Sequence, residues 1–170
     1  MSFVDEAIQK DVEGKVVEAA NLYEEILKAG DAPLEVYLNL AVLYWEMTDY
    51  GVNAGLGLSL EFIQRAGKRY REVLRKAQEQ FSMNPEILFW LLYCDFITLG
   101  EAPFVKQCEQ LVKEPHCSLV PYFYLYMAYN GRKYHQEAMK LLDHCQRRPT
   151  TKNCYISSVI QSTIHRYANK

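Results

Sequence analysis

Four aromatic residues, Phe3, Tyr37, Phe89 and Tyr122, each begin a segment with helical apolar spacing, and they stand 34, 52 and 33 residues apart. The outer intervals share one period, and the middle one is that period plus an 18-residue insertion. The last three anchors carry the same local pattern: Tyr37-x2-Leu40-Ala41-x2-Tyr44, Phe89-x2-Leu92-Tyr93-x2-Phe96 and Tyr122-x2-Leu125-Tyr126-x2-Tyr129. One helical hairpin of this kind cannot bury its own apolar face, so copies must stack. The regularity points to an all-α chain.

The segments between the anchors agree. Val16, Ala19, Ala20, Tyr23, Ile26 and Leu27 share one face of a helix. Gly30 supplies a stop and Pro33 opens the next segment, and Leu34 to Met47 reads as a helix. Further stops fall at Asn84-Pro85, Gly100 to Pro103, Pro115 to Pro121, Asn130-Gly131 and Arg148-Pro149, which cut the chain into about nine helices. No long stretch alternates with period 2. A chain of 170 residues is one domain by length, expected over 1–170.

Within the second helix of a unit, Ala19-x3-Tyr23 and Ala138-x3-Leu142 repeat a small residue that lets helices approach and a large one that fills the space beside it. With the aromatic-x2-Leu-x3-aromatic helices, these residues resemble the tetratricopeptide repeat, a 34-residue helical hairpin. The fit is best over Gly14 to Tyr23 and Leu34 to Tyr50, and the resemblance spans about 3–147. It implies a TPR-like right-handed superhelix of about four hairpins, closed by a capping helix at about 152–168. The turn before Ala138 is longer than the family's. The insertion, about 51–82, starts with a Gly-rich stretch read as a flexible linker. It continues as a long helix with Leu58, Phe62, Ala66, Tyr70, Val73, Leu74, Ala77 and Phe81 on one face, projecting at one edge.

Composition narrows the function. Lys+Arg 19 against Asp+Glu 21 gives a net charge of -2, so no global field draws nucleic acid or an anionic membrane, and neither is an expected partner. The apolar stretches Ile87 to Cys94 and Leu119 to Tyr129 are far shorter than the ~20 residues a bilayer requires. The N-terminus is acidic early and lacks a secretory pattern, and five cysteines without a C-x-x-C pair suit reduced thiols, so the cytoplasm is the expected compartment. Gly55-x-Gly57-x-x-Leu60 lacks the third glycine of a dinucleotide fingerprint. Phosphate-loop, zinc-protease and nucleophile-elbow motifs are missing. The pairs His116-Cys117 and His144-Cys145 lack the i, i+3 or i, i+4 spacing of two ligands on one helix. No enzymatic role, cofactor or metal is expected.

Two surfaces are candidates for binding another protein. In the resembled family, positions one, five and eight residues after each anchor line a concave groove. Carried over, these are Val4, Ile8 and Asp11; Leu38, Val42 and Trp45; Trp90, Cys94 and Ile97; and Phe123, Met127 and Asn130. Such an apolar groove takes either a segment of another polypeptide or the chain's own C-terminal helix through Ile156, Val159, Ile160, Ile164 and Tyr167. An uncovered groove would also suit a homodimer. Family members that clamp the acidic tail of a heat-shock chaperone use Lys, Asn and Arg where this chain has Val4, Ile8, Ile87 and Leu91, and only Asn39 fits, so that role is not expected. Asn39 reads instead as a packing or inter-helix hydrogen-bonding group. The second surface is helix 58–81, where Arg69 and Lys76 would steer an acidic partner. The expected function is a non-enzymatic protein-binding adaptor or scaffold. The alternative is a dedicated inhibitor, such as an immunity protein, or a secretion chaperone with one cognate partner.

Overall fold

A computed structural model of the chain describes residues 2–167. Ten α-helices and no strand are found among them. They are α1 (Phe3–Val12), α2 (Val16–Ala29), α3 (Leu34–Glu46), α4 (Tyr50–Leu56), α5 (Leu60–Gln80), α6 (Pro85–Leu99), α7 (Val105–Leu111), α8 (Tyr122–Ala128), α9 (His135–Arg147) and α10 (Thr151–Tyr167). Helix α10 is the expected C-terminal helix, and the last residue of the predicted cap, Ala168, lies outside the described residues.

Helix boundaries follow local chemistry. Ser2 and Asp5 form a reciprocal capping box at α1, and Ser59 accepts from the Phe62 backbone N–H at the start of α5. Asn84 caps α6 with Pro85 in its first turn, where the missing N–H costs nothing. Gly100, at φ 66°, ends α6 in the left-handed conformation that glycine tolerates best. The Gly-rich stretch is not a linker: Asp49 accepts from the Val52 N–H at 3.2 Å and starts the short helix α4, which Gly57 ends.

The chain divides into two compact units. Unit 1 is Met1–Ser82 with Thr150–Lys152, and unit 2 is Met83–Pro149 with Asn153–Lys170. In unit 1, α1 packs on α2, α2 on α3, and α3 on α5. The long helix does not project freely. Tyr37, early in α3, meets Phe81 just past the end of α5 (centroids 5.8 Å), while Tyr44, late in α3, meets Phe62 at its start (6.0 Å). The two helices are therefore antiparallel partners over most of their length, with Phe62, Ala66, Tyr70, Val73, Leu74 and Ala77 buried. Every residue of α3 from Val36 to Trp45 is buried, as an all-round apolar helix must be.

A polar network also lies within the unit 1 core. The Asp11 carboxylate accepts from the Thr151 backbone N–H (2.8 Å), the Thr151 hydroxyl (2.6 Å) and the Tyr23 hydroxyl (3.2 Å). Asn39 donates to Tyr23 Oη at 3.4 Å, which is the inter-helix hydrogen bond the sequence suggests. Asp11 thus caps the N-terminus of α10 across 140 residues of chain.

In unit 2, α6 packs on α7, α7 on α8, and α8 on α9. Its core is aromatic. Phe89 lies 5.4 Å from Trp90, 5.5 Å from Tyr93 and 5.4 Å from Phe123, and Phe104 stacks on Tyr124 at 4.3 Å. The Tyr124 hydroxyl accepts the Phe104 backbone N–H at 3.0 Å, so the same ring pair also anchors the start of α7.

Candidate functional site

Most of the groove expected from the resemblance is closed. Leu38, Val42 and Trp45 are buried in unit 1. In unit 2, Trp90 and Phe123 are 0 % exposed and Cys94 is buried. Val4 and Met127, half-buried, and Ile97 and Asn130, exposed, keep solvent contact. Trp90 packs its ring against Phe123 at 5.8 Å and donates its indole N–H to Glu86 at 3.3 Å, which are the contacts of a core residue rather than of an open anchor. The chain's own C-terminal helix, one of the two expected tenants, packs against Phe123 in unit 2. Tyr155 of α10 hydrogen-bonds Tyr93 (2.6 Å) and edges Phe123 (6.2 Å), and Ile156 and Ile160 are fully buried.

The cationic helix does border an open site. Helices α2 and α5 flank a cleft of about 550 Å³ lined by Asn21, Glu24, Glu25, Leu27, Lys28, Tyr37, Arg65, Arg69 and Lys76. Asn21, Glu24, Glu25 and Lys28 recur at i, i+3, i+4, i+7 on α2, and Arg65, Arg69 and Lys76 at i, i+4, i+11 on α5. Helical geometry therefore places each set on one stripe.

Arg69 is committed within this cleft. Its Nε and Nη2 reach the two Glu24 oxygens at 2.9 and 2.8 Å, and its Nη1 reaches Glu72 at 2.6 Å. Tyr44 adds a hydrogen bond to Glu24 at 3.1 Å. Partial burial pulls the Glu24 pKa up, but the Arg69 fork and the Tyr44 hydroxyl outweigh it and hold the carboxyl below its ordinary value. Arg69 therefore fastens α5 to α2, and its charge is largely offset there, contrary to its expected role in steering a partner. Lys76, the other expected contact, is exposed at the cleft, as are Lys28 and Arg65. Arg65 leans over the Phe62 ring at 5.2 Å and donates one bond to Asn21 at 3.1 Å. Sequence reasoning missed Lys28, Asn21 and Tyr37, although the α2 stripe was readable from its spacing.

Unit 2 concentrates unusual backbone between α8 and α9. Asn130, Gly131 and Tyr134 have φ of 54°, 74° and 61°, a conformation that a tyrosine seldom adopts. On one side of this loop Tyr126, Asn130, Gly131, Arg132, His135, Ile164 and Tyr167 line a cleft of about 490 Å³. On another, Glu109 accepts hydrogen bonds from Tyr129 and Tyr134, which hold its carboxyl below the ordinary value. The long turn before Ala138 was the sequence signal for this region.

Burial pushes the Cys108 thiol up to about 12 and Cys117 to about 11, so neither is an appreciable thiolate at neutral pH. Among the described residues, no three His, Cys, Asp or Glu side chains converge as a metal site, and no helix is long and apolar enough to cross a membrane. Comparisons with protein families, with curated proteins and with solved structures found no match.

Proposed function

We propose that this chain is a non-enzymatic, TPR-like binding module and that its α2–α5 cleft receives an acidic segment of another polypeptide. The observation that carries this reading is the cation set at an open 550 Å³ cleft: Lys28, Arg65 and Lys76 face solvent while Glu24 is already matched by Arg69. Of the lining carboxylates only Glu25 then opposes three exposed cations, so a carboxylate-rich segment is the complementary ligand. Tyr37 offers an aromatic wall against which such a segment's aliphatic stems can lie. The pairing of successive helices in each unit supports the helical-repeat part of the reading.

A labelled peptide of about eight alternating Glu and Asp residues, titrated by fluorescence anisotropy, tests it. Binding should weaken with added salt, and the Arg65→Glu, Lys76→Glu double variant should lose about tenfold or more in affinity. Both positions are exposed and Arg69 stays in place, so the variant keeps its α2–α5 fastening. Equal affinity of the double variant and the parent would place the ligand elsewhere and end this reading.

A further inference from the structure

Three tyrosines and a carboxylate from three stretches of unit 2 come together, and a cation of the chain itself sits on one of the rings. Tyr122 opens α8, Tyr129 follows its last residue, Tyr134 precedes α9, and Glu109 comes from α7. The Tyr129 and Tyr134 hydroxyls both donate to Glu109 Oε1, at 2.8 and 2.9 Å. Their rings lie 5.9 Å apart at 58°, and the Tyr134 ring lies 5.5 Å from Tyr122 at 52°. The Lys133 ammonium sits 4.0 Å from the centre of the Tyr129 ring.

Each feature suits cation recognition. The Tyr129 and Tyr134 rings, 5.9 Å apart and inclined at 58°, are spaced so that a cation about 4 Å from the Tyr129 face lies close to a second ring. A phenol that donates to a carboxylate is polarised by it, which deepens the negative face of its ring. The carboxylate adds a full charge where the two hydroxyls converge. Tyr134 is held at a positive φ, an unfavourable backbone for a side chain of its size, and such outliers gather where function demands them. Its three ring neighbours and partners are all only partly buried, so the cluster faces solvent.

Lys133 is the natural occupant but a weak one. It is exposed, and a primary ammonium on a flexible stem is strongly hydrated. A methylated ammonium gives up less hydration and keeps the same attraction to ring faces. We infer that the Tyr122, Tyr129, Tyr134 and Glu109 cluster is a receptor for a methylated ammonium group, with Lys133 as its built-in competitor. The site is independent of the unit 1 cleft.

The test is an NMR titration of tyrosine ring resonances with tetramethylammonium chloride, with sodium chloride at equal ionic strength and neutral neopentyl alcohol as controls. Lys133→Ala should bind the probe about tenfold tighter than the parent, because the competitor is gone. Tyr129→Leu and Glu109→Gln should lose it, with circular dichroism verifying that each folds. A merely structural cluster gives a different result: Lys133→Ala binds no tighter than the parent, or neopentyl alcohol shifts the same resonances equally, and either outcome overturns the inference. The Lys133→Ala arm stands even if the other variants unfold, since that side chain is exposed. Choline and Nε-trimethyllysine, titrated into Lys133→Ala, then tell a small head group from a modified side chain by which binds tighter, and failure of both to bind also overturns it.

Discussion

The two units bury similar kinds of helices with different chemistry. Unit 1 ties its helices with charge and hydrogen bonds: Glu24 to Arg69 and Tyr44, and Asp11 to Tyr23 and Thr151. Unit 2 relies on rings, with Phe89 touching Trp90, Tyr93, Phe104 and Phe123 within 6.0 Å. Ring packing responds to volume and hardly to pH or salt, whereas the unit 1 links respond to both. Solution conditions should therefore tune the helix pairing of unit 1 more than that of unit 2, where Glu109 is the pH-linked carboxylate, and unit 1 also carries the cationic cleft. Each unit holds one tryptophan, Trp45 in unit 1 and Trp90 in unit 2, so single-tryptophan variants can follow each by fluorescence.

Truncating the ring core should have the largest effect. Trp90→Ala removes a fully buried side chain that contacts Phe89, Tyr93 and Phe123 and holds Glu86. Lost burial plus the residual cavity should cost about 3–5 kcal/mol, read from the urea midpoint by circular dichroism. A shift below about 1 kcal/mol would mean that Trp90 is an anchor for something else and not the core of unit 2.

Breaking the main ion pair of unit 1 should cost less and depend on salt. Arg69→Leu leaves Glu24 half-buried with Tyr44 as its remaining hydrogen-bond donor. The loss should be about 2 kcal/mol, because a charge-assisted fork is removed and one carboxylate is left poorly matched. In 1 M salt the gap between variant and parent should narrow, while the Trp90→Ala gap should not. Equal salt responses of the two variants would erase the distinction between the units.

How legible all this was depends on the range of the interaction. Helix limits were readable because they rest on neighbours: Gly30 ends α2, Asn84-Pro85 starts α6 and Gly100 ends it. The long face of α5 was readable for the same reason, since six of its eight predicted members are buried. The groove expected from the resemblance is closed because its lining positions on α3 fall on a helix with no polar face. From Val36 to Trp45 only Asn39 interrupts the apolar run, and such a helix has no face left for solvent. Arg69 was misjudged because its partner Glu24 lies 45 residues away on another helix, where no local spacing reveals it. The strained Tyr134 gave no sign either, since a tyrosine does not advertise a positive φ as glycine does.

The smallest effect expected is the one that isolates the pH sensitivity of unit 1. Glu46, in the last turn of α3, is pushed up to about 7, chiefly by burial and secondarily by the charge of Asp49. The unfolded chain releases this proton near the ordinary value of 4.5, so between 4.5 and about 7 the folded state holds it more tightly. Stability from this group is therefore full in acid and is lost as pH rises to about 7, the reverse of Glu24, whose lowered pKa gives stability that is lost as pH falls. Glu46→Gln removes the ionisation while keeping the shape. Discounted for partial exposure, the variant should gain on the order of 1–2 kcal/mol on the parent at pH 8 and almost nothing at pH 4. Urea melts at the two pH values check this, with Trp90→Phe as the background so that Trp45 reports unit 1. Parallel parent and variant curves would show that the Glu46 carboxyl reaches water freely, and the pH response of unit 1 would then belong to its paired carboxylates alone.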